Sequence, residues 1–200
     1  MRCPDQGGAV MPEIMGGFEG RVTNVFRKIS CVAFKLNSGA MVVDGSKLLF
    51  EREPFFEHRQ TTRSVEIDHR PVQIVVAGEK CAVLIDDRCY ELPPNNTGVF
   101  LVNGPQATVG GKGTVFKVLH EKNVICVDLT EGALCKGDWI IINGEDGYRH
   151  EQIATSIEVG CTPQQAVLEG KKLGVLLEVD PEIGLPAEGD TVTVVSIKKQ

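Results

Sequence analysis

The chain repeats itself, and this repeat constrains the fold more than any other feature of the sequence. Residues 64–85 read SVEIDHRPVQIVVAGEKCAVLI, and residues 156–177, 92 positions further on, read SIEVGCTPQQAVLEGKKLGVLL. Both segments place a Ser, a Glu, a Pro, a Gly and a Lys at the same intervals and end in an apolar run. The period of this repeat, 92 residues, is longer than that of solenoid units. The pattern therefore predicts a duplicated domain.

The match continues outside these segments and keeps one order along the chain. Several residues correspond at an offset of 93, namely Gly20, Val22 and Val25 with Gly113, Val115 and Val118. The chain is therefore divided into a disordered tail at 1–15, a first copy at 16–103, a linker at 104–110 and a second copy at 111–200.

Each copy consists of short segments that are rich in β-branched residues and separated by glycines and charged residues. VICVDL and DWIIIN have the composition of strands, and no segment keeps a helical spacing of apolar residues for long. Several such strands per copy, at regular short spacing, are typical of a small closed barrel. The predicted fold class is all-β, with two tandem small β-barrels.

The second copy carries motifs of a known family. Its segments GKGTV, LTEGALCKGDWIIING, EGKKLGVLL and IGLPAEGDTV resemble domain II of the translational GTPases such as elongation factor Tu. The chain is also similar to free-standing bacterial proteins that consist of such a barrel, through IDHRPV at 67–72. The resemblance covers 109–200 and, more faintly, 17–103, and it implies the translation-protein barrel fold. The first copy has DGSK at 44–47 in place of the Gly-Asp turn of that family.

The resemblance does not extend to the chemistry of those GTPases. No Gly-x-x-x-x-Gly-Lys-Ser/Thr motif occurs in the sequence, so we expect neither GTP binding nor GTP hydrolysis. In elongation factor Tu a polar residue of this barrel helps to hold the aminoacyl end of tRNA, and the matching positions are Lys80 and Lys172. Lysine cannot accept a hydrogen bond, so these two residues remain only weaker candidates for partner contacts.

No residue pattern indicates catalysis, a metal site or a bound cofactor. His58 and His150 occupy equivalent positions, which is compatible with a shared acid-base or metal site or with an inherited residue beside the core. Cys161, in the loop VGCTP, is the best candidate for an exposed thiol, but no base is recognisable near it in sequence. The chain is therefore predicted not to be an enzyme and to need no cofactor.

Charge and cysteine content narrow the function classes. The net charge is −6, which argues against avid nonspecific binding to nucleic acid, and DNA and membranes are not expected partners. No apolar run approaches the length of a membrane span, and the first residues lack a secretory pattern, so a cytoplasmic location is expected. The seven cysteines form no CxxC pair, which indicates reduced thiols.

Arginine is concentrated in the first copy. Seven of the nine arginines lie there, and four of them fall within residues 51–70 beside two adjacent phenylalanines. Arginine and aromatic residues anchor protein interfaces and also suit single-stranded RNA; the alternative is a solvated hairpin with one buried Phe. The candidate partner contacts are Arg52, Phe55, Phe56, Arg59 and Arg63.

Two classes of function follow from these observations. The first is a noncatalytic binding or adaptor protein that docks on a protein or ribonucleoprotein partner, with RNA binding or self-association as variants. The second is an accessory subunit or detached domain of an enzyme, since a similar barrel accompanies the U32 peptidase-like family. The catalytic portion of that family is missing from this sequence, which favours the first class.

Overall fold

The computed structural model describes residues 18–54, 56–86, 91–145, 147–179 and 184–198. Within these ranges the chain consists of antiparallel strands and two single-turn 3-10 helices, Arg27–Ile29 and His120–Lys122, so the predicted all-β class is confirmed. Neither helix in this part of the chain has the length or apolar character of a membrane span. The predicted tail at 1–15 lies outside the described residues.

The described residues contain nineteen strands, of which ten belong to the first copy. They are β1 (Glu19–Phe26), β2 (Cys31–Ser38), β3 (Ala40–Val42), β4 (Lys47–Arg52), β5 (Phe56–Thr61), β6 (Val65–Ile67), β7 (Arg70–Pro71), β8 (Ile74–Val76), β9 (Lys80–Leu84) and β10 (Gly98–Asn103). Eight of them form one sheet in the order β5-β4-β10-β1-β2-β9-β6-β7, while β3 and β8 pair with each other.

Nine strands belong to the second copy. They are β11 (Gln106–Leu119), β12 (Val124–Cys135), β13 (Trp139–Asn143), β14 (Arg149–Ile153), β15 (Ile157–Val159), β16 (Thr162–Pro163), β17 (Ala166–Leu168), β18 (Lys171–Leu176) and β19 (Thr191–Lys198). Eight of them follow the order β14-β13-β19-β11-β12-β18-β15-β16, and β17 pairs with the end of β12.

The second sheet repeats the strand order of the first, position by position. The long strand β12 covers what β2 and β3 cover in the first copy, which accounts for the difference of one strand. Both opening hairpins are irregular at the same place, at Thr23 in β1 and at Phe116 in β11. Both then turn through a left-handed residue, Ser30 with φ of 49° and Asn123 with φ of 52°. The repeat in the sequence is therefore a repeat of topology.

Alternating burial gives each sheet its own core. In β2 every second residue is fully buried, namely Val32, Phe34 and Leu36, because successive strand residues point to opposite faces of a sheet. β12 repeats this alternation at the equivalent positions. The inner faces form two separate clusters, one for each copy.

A glutamine in each copy joins parts of the sheet that no backbone ladder joins. Gln60 in β5 donates from Nε2 to the carbonyl oxygen of Leu84 at 2.8 Å and accepts from the N–H of Asp86 at 3.1 Å. Gln152 in β14 makes both bonds to the equivalent residues at the end of β18, at 2.9 and 2.8 Å. Each glutamine thus ties the edge strand of its sheet to a strand that lies five places away in the strand order.

The Gly-Asp turn is built differently in the two copies. In the second copy, the carboxylate Oδ2 of Asp138 accepts a hydrogen bond from the N–H of Cys135 at 2.8 Å. In the first copy, Ser46 stands at this position and donates from Oγ to the carbonyl oxygen of Val42 at 2.5 Å. A hydroxyl that donates therefore replaces a carboxylate that accepts, and the turn persists without its Asp.

The predicted linker is mostly strand. Only Gly104 and Pro105 lie between β10 and β11. From Gln106 onward the chain pairs with β19, beginning opposite Lys198, so residues 106–110 are fixed by a ladder of backbone hydrogen bonds. The two sheets are thus joined through two residues, because the first strand of the second copy starts earlier than the glycines in NGPQATVGG suggest.

A third apolar cluster lies where the two copies meet. β3 and β8 contribute Ala40, Ile74 and Val76, and β13 and β19 contribute Ile141 and Val195. These residues alternate with the core residues of their strands and therefore lie on the outer faces of the sheets. Trp139, Ala107 and Ile197 pack around them. The first copy thus presents its β3–β8 face, and the second presents a different surface, which we call the β13–β19 face.

Two charged residues of β14 bind the edge of β8 that is not paired with β3. Glu151 accepts from the backbone N–H groups of Gln73 at 2.5 Å and Ile74 at 3.2 Å. Arg149 donates from Nη2 to the carbonyl oxygen of Ile74 at 2.6 Å and forms an ion pair with Glu79. An edge strand with free backbone groups can pair with another chain, so this clamp closes an edge while it joins the two copies.

Candidate docking surface

The predicted contact residues do not form one surface. Arg52 ends β4, is paired with Phe56 and is exposed. Phe56 is half-buried and packs against the core of the first sheet, as the alternative of a buried Phe requires. Phe55 lies outside the described residues. Arg59 and Arg63 lie apart from each other, on β5 and in the connection that follows it.

Arg59 is held by a neighbour on its own strand. Its Nη2 lies 2.6 Å from Oε1 of Glu57, and about half of each side chain is exposed. Both residues stand on the outer face of β5, and Arg59 is paired with Leu49 of β4. Exposed ion pairs of this kind contribute little to the free energy of folding. The effect of these two charges is therefore on the polarity of this part of the surface.

The counterpart of Phe56 in the second copy, Tyr148, carries a titratable group at the same site. Its hydroxyl donates to the carbonyl oxygen of Gly184 at 3.5 Å. Burial, followed by the nearby carboxylate of Asp190, raises the pKa of Tyr148 to about 12. The folded state therefore holds this proton at pH values where an unfolded tyrosine, with a pKa of 10.0, has released it.

This difference gives a pH-dependent stability. A pKa that is raised on folding contributes stability that is complete below the pKa of the unfolded chain and is lost as the pH rises towards the folded value. We expect the free energy of unfolding to fall between pH 10 and about 12 and expect Tyr148→Phe to remove part of that fall. Urea unfolding of both proteins across this range measures it; an identical fall in the variant would contradict the assignment.

Arg63 lies beside a surface cleft of the first copy. The cleft measures about 530 Å³ and is lined by Arg63, Ser64, Leu84 and Asp86 together with the end of β5. Leu84, the last residue of β9, is 61% exposed although it is a large aliphatic residue. Of the predicted contacts, Arg63 is the one that the structure places beside exposed apolar area.

Two further apolar side chains lie at the same end of the sheet. The ladder pairs Phe26 with Cys31 and Cys31 with Leu84, so these three residues form one row across β1, β2 and β9. Ile29 lies in the 3-10 turn between β1 and β2 and is 62% exposed. We call Phe26, Ile29, Leu84 and Arg63 the Leu84 surface.

The middle of this row is a protected thiol. Cys31 is buried, although its neighbours Phe26 and Leu84 in the row are exposed. Burial, followed by the negative charge of Glu66, raises the pKa of the Cys31 thiol, which keeps it protonated and unreactive near neutral pH. The thiol therefore acts as a small apolar residue beneath the Leu84 surface.

The equivalent region of the second copy is less apolar. Ile29 is replaced by Lys122, and Phe26 is replaced by Leu119, which is half-buried. Leu176 corresponds to Leu84 and is also exposed. Sequence reasoning passed over the Leu84 surface, yet two signals were present: an apolar residue in a charged turn, RKI, and the outward position of Leu84 in the alternating strand KCAVL.

The paired histidines belong to the glutamine bonds of the fold. Nε2 of His58 lies 3.1 Å from Oε1 of Gln60, and Nε2 of His150 lies 2.9 Å from Oε1 of Gln152. His58 also stacks on Phe50 with ring centroids 6.3 Å apart. This arrangement matches the expectation of an inherited residue beside the core.

The two candidate lysines have different surroundings. Nζ of Lys172 lies 4.7 Å from the centroid of the Phe116 ring, within the range of a cation–π contact. Lys80 is exposed at the start of β9, and Thr23 stands where the second copy has Phe116. The two copies therefore present different chemistry at this place.

The remaining candidates for chemistry are scattered. Cys161 is exposed, as expected, in a left-handed turn with φ of 63°. Burial, followed by the charge of Glu79, raises the pKa of the Cys81 thiol far above its usual value. In the part of the chain that the structure describes, no three His, Cys, Asp or Glu side chains are grouped as metal ligands.

The chain has distant similarity to solved structures but matches no known family. No protein-family model matches the chain, and no curated protein matches it. Among solved structures, the chain is similar to the GTPase-like domain of Ski7 from S. cerevisiae, bound to GDP and inorganic phosphate, with 9% sequence identity and a TM-score of 0.35. The match covers 92% of this chain and 46% of that one, so the chain spans less than half the length of its neighbour.

Proposed function

We propose that this chain is a noncatalytic binding module that docks a protein partner through the Leu84 surface. The observation that carries the proposal is the exposure of Ile29 and Leu84, which are 62% and 61% accessible and lie with Phe26 at one end of the first sheet. Clustered exposed apolar residues on a soluble domain mark interaction sites. The second copy replaces Ile29 by a lysine, so this surface is a property of one copy.

The chemistry of the surface favours a protein partner over RNA. Single-stranded RNA is bound by successive aromatic rings on which bases stack, whereas the two most exposed apolar residues of this surface, Ile29 and Leu84, are aliphatic and Phe26 is the one aromatic ring among its four residues. The exposed cations Arg27 and Lys28 lie in the same turn as Ile29, and Arg63 lies with Leu84 and the acidic residue Asp86 in the lining of the cleft. The expected partner is therefore a protein, free or within a ribonucleoprotein, that presents apolar side chains with acidic residues around them.

The proposed module has no catalytic activity of its own. The histidines are engaged by glutamines, and the sequence lacks a phosphate-binding loop. The resemblance of the sequence motifs to translation-factor barrels supports a binding role, since the barrel of elongation factor Tu helps to hold the aminoacyl end of tRNA.

A paired substitution tests this function. We expect Ile29→Asp combined with Leu84→Asp to reduce capture of a stoichiometric protein partner by at least about tenfold, because two charges would be buried against an apolar partner. Both residues are exposed, so thermal stability should change little. The measurement is affinity capture with RNase treatment, followed by quantitative mass spectrometry.

The second copy supplies the matched control. Leu176→Asp changes the equivalent exposed leucine and should leave capture intact. Capture that RNase abolishes would point to RNA, and equal capture by the paired variant and the wild type would exclude the Leu84 surface. A captured enzyme whose activity depends on this chain would support the accessory-subunit alternative.

A further inference from the structure

The contact between the two copies joins unlike surfaces of like domains. The first copy uses its β3–β8 face and the second uses its β13–β19 face. Because the two copies share one topology, each of them possesses both kinds of face. The second copy therefore has an unused counterpart of the β3–β8 face, formed by β17. The first copy has an unused counterpart of the β13–β19 face, formed by β4, β5 and β10. Such heterologous contacts can continue between molecules.

The leftover face of the second copy is open. Leu168 is 67% exposed, whereas Val76, its counterpart in the first copy, is 6% exposed within the contact. Ala166, the counterpart of Ile74, is also exposed. β17 pairs with β12 in the same register as β8 pairs with β3. Arg149 and Glu151 bind the backbone N–H and C=O groups of Ile74 in β8, and the same two groups of Ala166 in β17 therefore face outward. We call this surface the β17 face.

The leftover face of the first copy offers apolar area beside charges. Leu49 corresponds to Ile141 and is buried in its own sheet, while Phe100 and Val102 on β10 are half-buried. Leu49 is paired with Phe100 on one side and with Arg59 on the other. We call this surface the β4–β10 face.

One charge pair of the internal contact recurs with inverted sign on the leftover faces, whereas Arg59, which stands where the second copy has Glu151, is paired with Glu57 within its own strand. In the internal contact, Arg149 of the second copy pairs with Glu79 of the first. The counterpart of Arg149 is Glu57, and the counterpart of Glu79 is Lys171, which is exposed. A contact of the same geometry would therefore bring Lys171 to Glu57. Opposite charges in register favour one partner and orientation over others.

We propose that a second copy of this chain covers the β17 face with its β4–β10 face, head to tail. Leu168 then packs beside Phe100 and Val102, and Lys171 of one molecule pairs with Glu57 of the next. The contact either closes into a ring or extends into a chain of molecules. The residues of the Leu84 surface are not among these contacts: Phe26 and Leu84 lie on β1 and β9, Ile29 lies in the turn after β1, and Arg63 lies in the connection after β5.

Sedimentation velocity over a range of concentrations tests the proposal. The wild type is expected to show a mass above that of one chain, which rises with concentration. Lys171→Glu and Glu57→Lys should each raise the dissociation constant about tenfold to a hundredfold, because each places like charges together. The double variant, with both charges exchanged, should recover most of the wild-type association.

Two variants separate this contact from other causes. Leu168→Asp should abolish association, and Leu176→Asp, an exposed leucine elsewhere on the second copy, should leave it unchanged. Circular dichroism of each variant shows whether it is folded. A wild type that stays monomeric at every concentration would overturn the proposal, as would a charge-exchanged double variant that associates no better than either single variant.

Discussion

Replacing Arg149 by Ala is expected to lower the free energy of unfolding by about 3–5 kcal/mol. The guanidinium lies between the carboxylates of Glu79 and Glu151 and binds the carbonyl oxygen of Ile74. All three charged side chains are largely buried at the contact between the copies. Its removal leaves two buried carboxylates without their counter-charge.

The size of this effect follows from desolvation. A buried ion pair gives little net stability, yet breaking it by removal of one partner is costly because the remaining charge cannot return to water. The buried Nε of Arg149 has no hydrogen-bond partner within the described residues, so the clamp already contains one unsatisfied donor. Its stability depends on the bonds that the two terminal nitrogens make.

The measurement is equilibrium unfolding in urea, with Lys112→Ala as the control. Lys112 forms an exposed ion pair with Glu131, and its loss should cost at most about 1 kcal/mol. A similar small loss for both variants would show that the contact between the copies is not a stabilising interface.

The sequence was sufficient to predict the all-β class because alternation and repetition are local signals. Strands such as β2 bury every second residue. The constant sequence offset between the copies aligns each strand of the first copy with its equivalent in the second. The same pattern shows why the candidate contacts lie apart: Phe56 and Arg59 are separated by two residues in β5 and so lie on opposite faces of the sheet. Candidates that are close in sequence are divided by the strand that carries them.

The contact between the copies could be suspected from sequence but not assigned. In β13 the residues Ile140, Ile141 and Ile142 are all fully buried, and three consecutive isoleucines predict a strand covered on both faces. The sequence does not say what covers the outer face, because that depends on how two domains are oriented. The clamp by Arg149 and Glu151 is likewise made by residues that lie 70 to 78 positions from their partners.

Replacing Gln152 by Ala is expected to destabilise the chain by about 3 kcal/mol, since it removes the side-chain hydrogen bonds that join β14 to the end of β18. The side chain of Gln152 is bonded to His150 at 2.9 Å, to the carbonyl oxygen of Leu176 at 2.9 Å and to the N–H of Glu178 at 2.8 Å. Gln152 is buried, so water can replace these bonds only if the end of β18 separates from β14. Hydrogen exchange of the Glu178 amide should then rise together with the loss of global stability.

The duplication allows an internal test of the same prediction. Gln60 makes the same bonds in the first copy, so Gln60→Ala should give a comparable loss, and the double variant should approach the sum of the two because the sites share no partner. Thr61→Ala, an exposed change on the same strand as Gln60, should stay within about 0.5 kcal/mol of the wild type. If neither glutamine variant differed from that control, these side chains would not be what joins the edge strand of each sheet to the strand across from it.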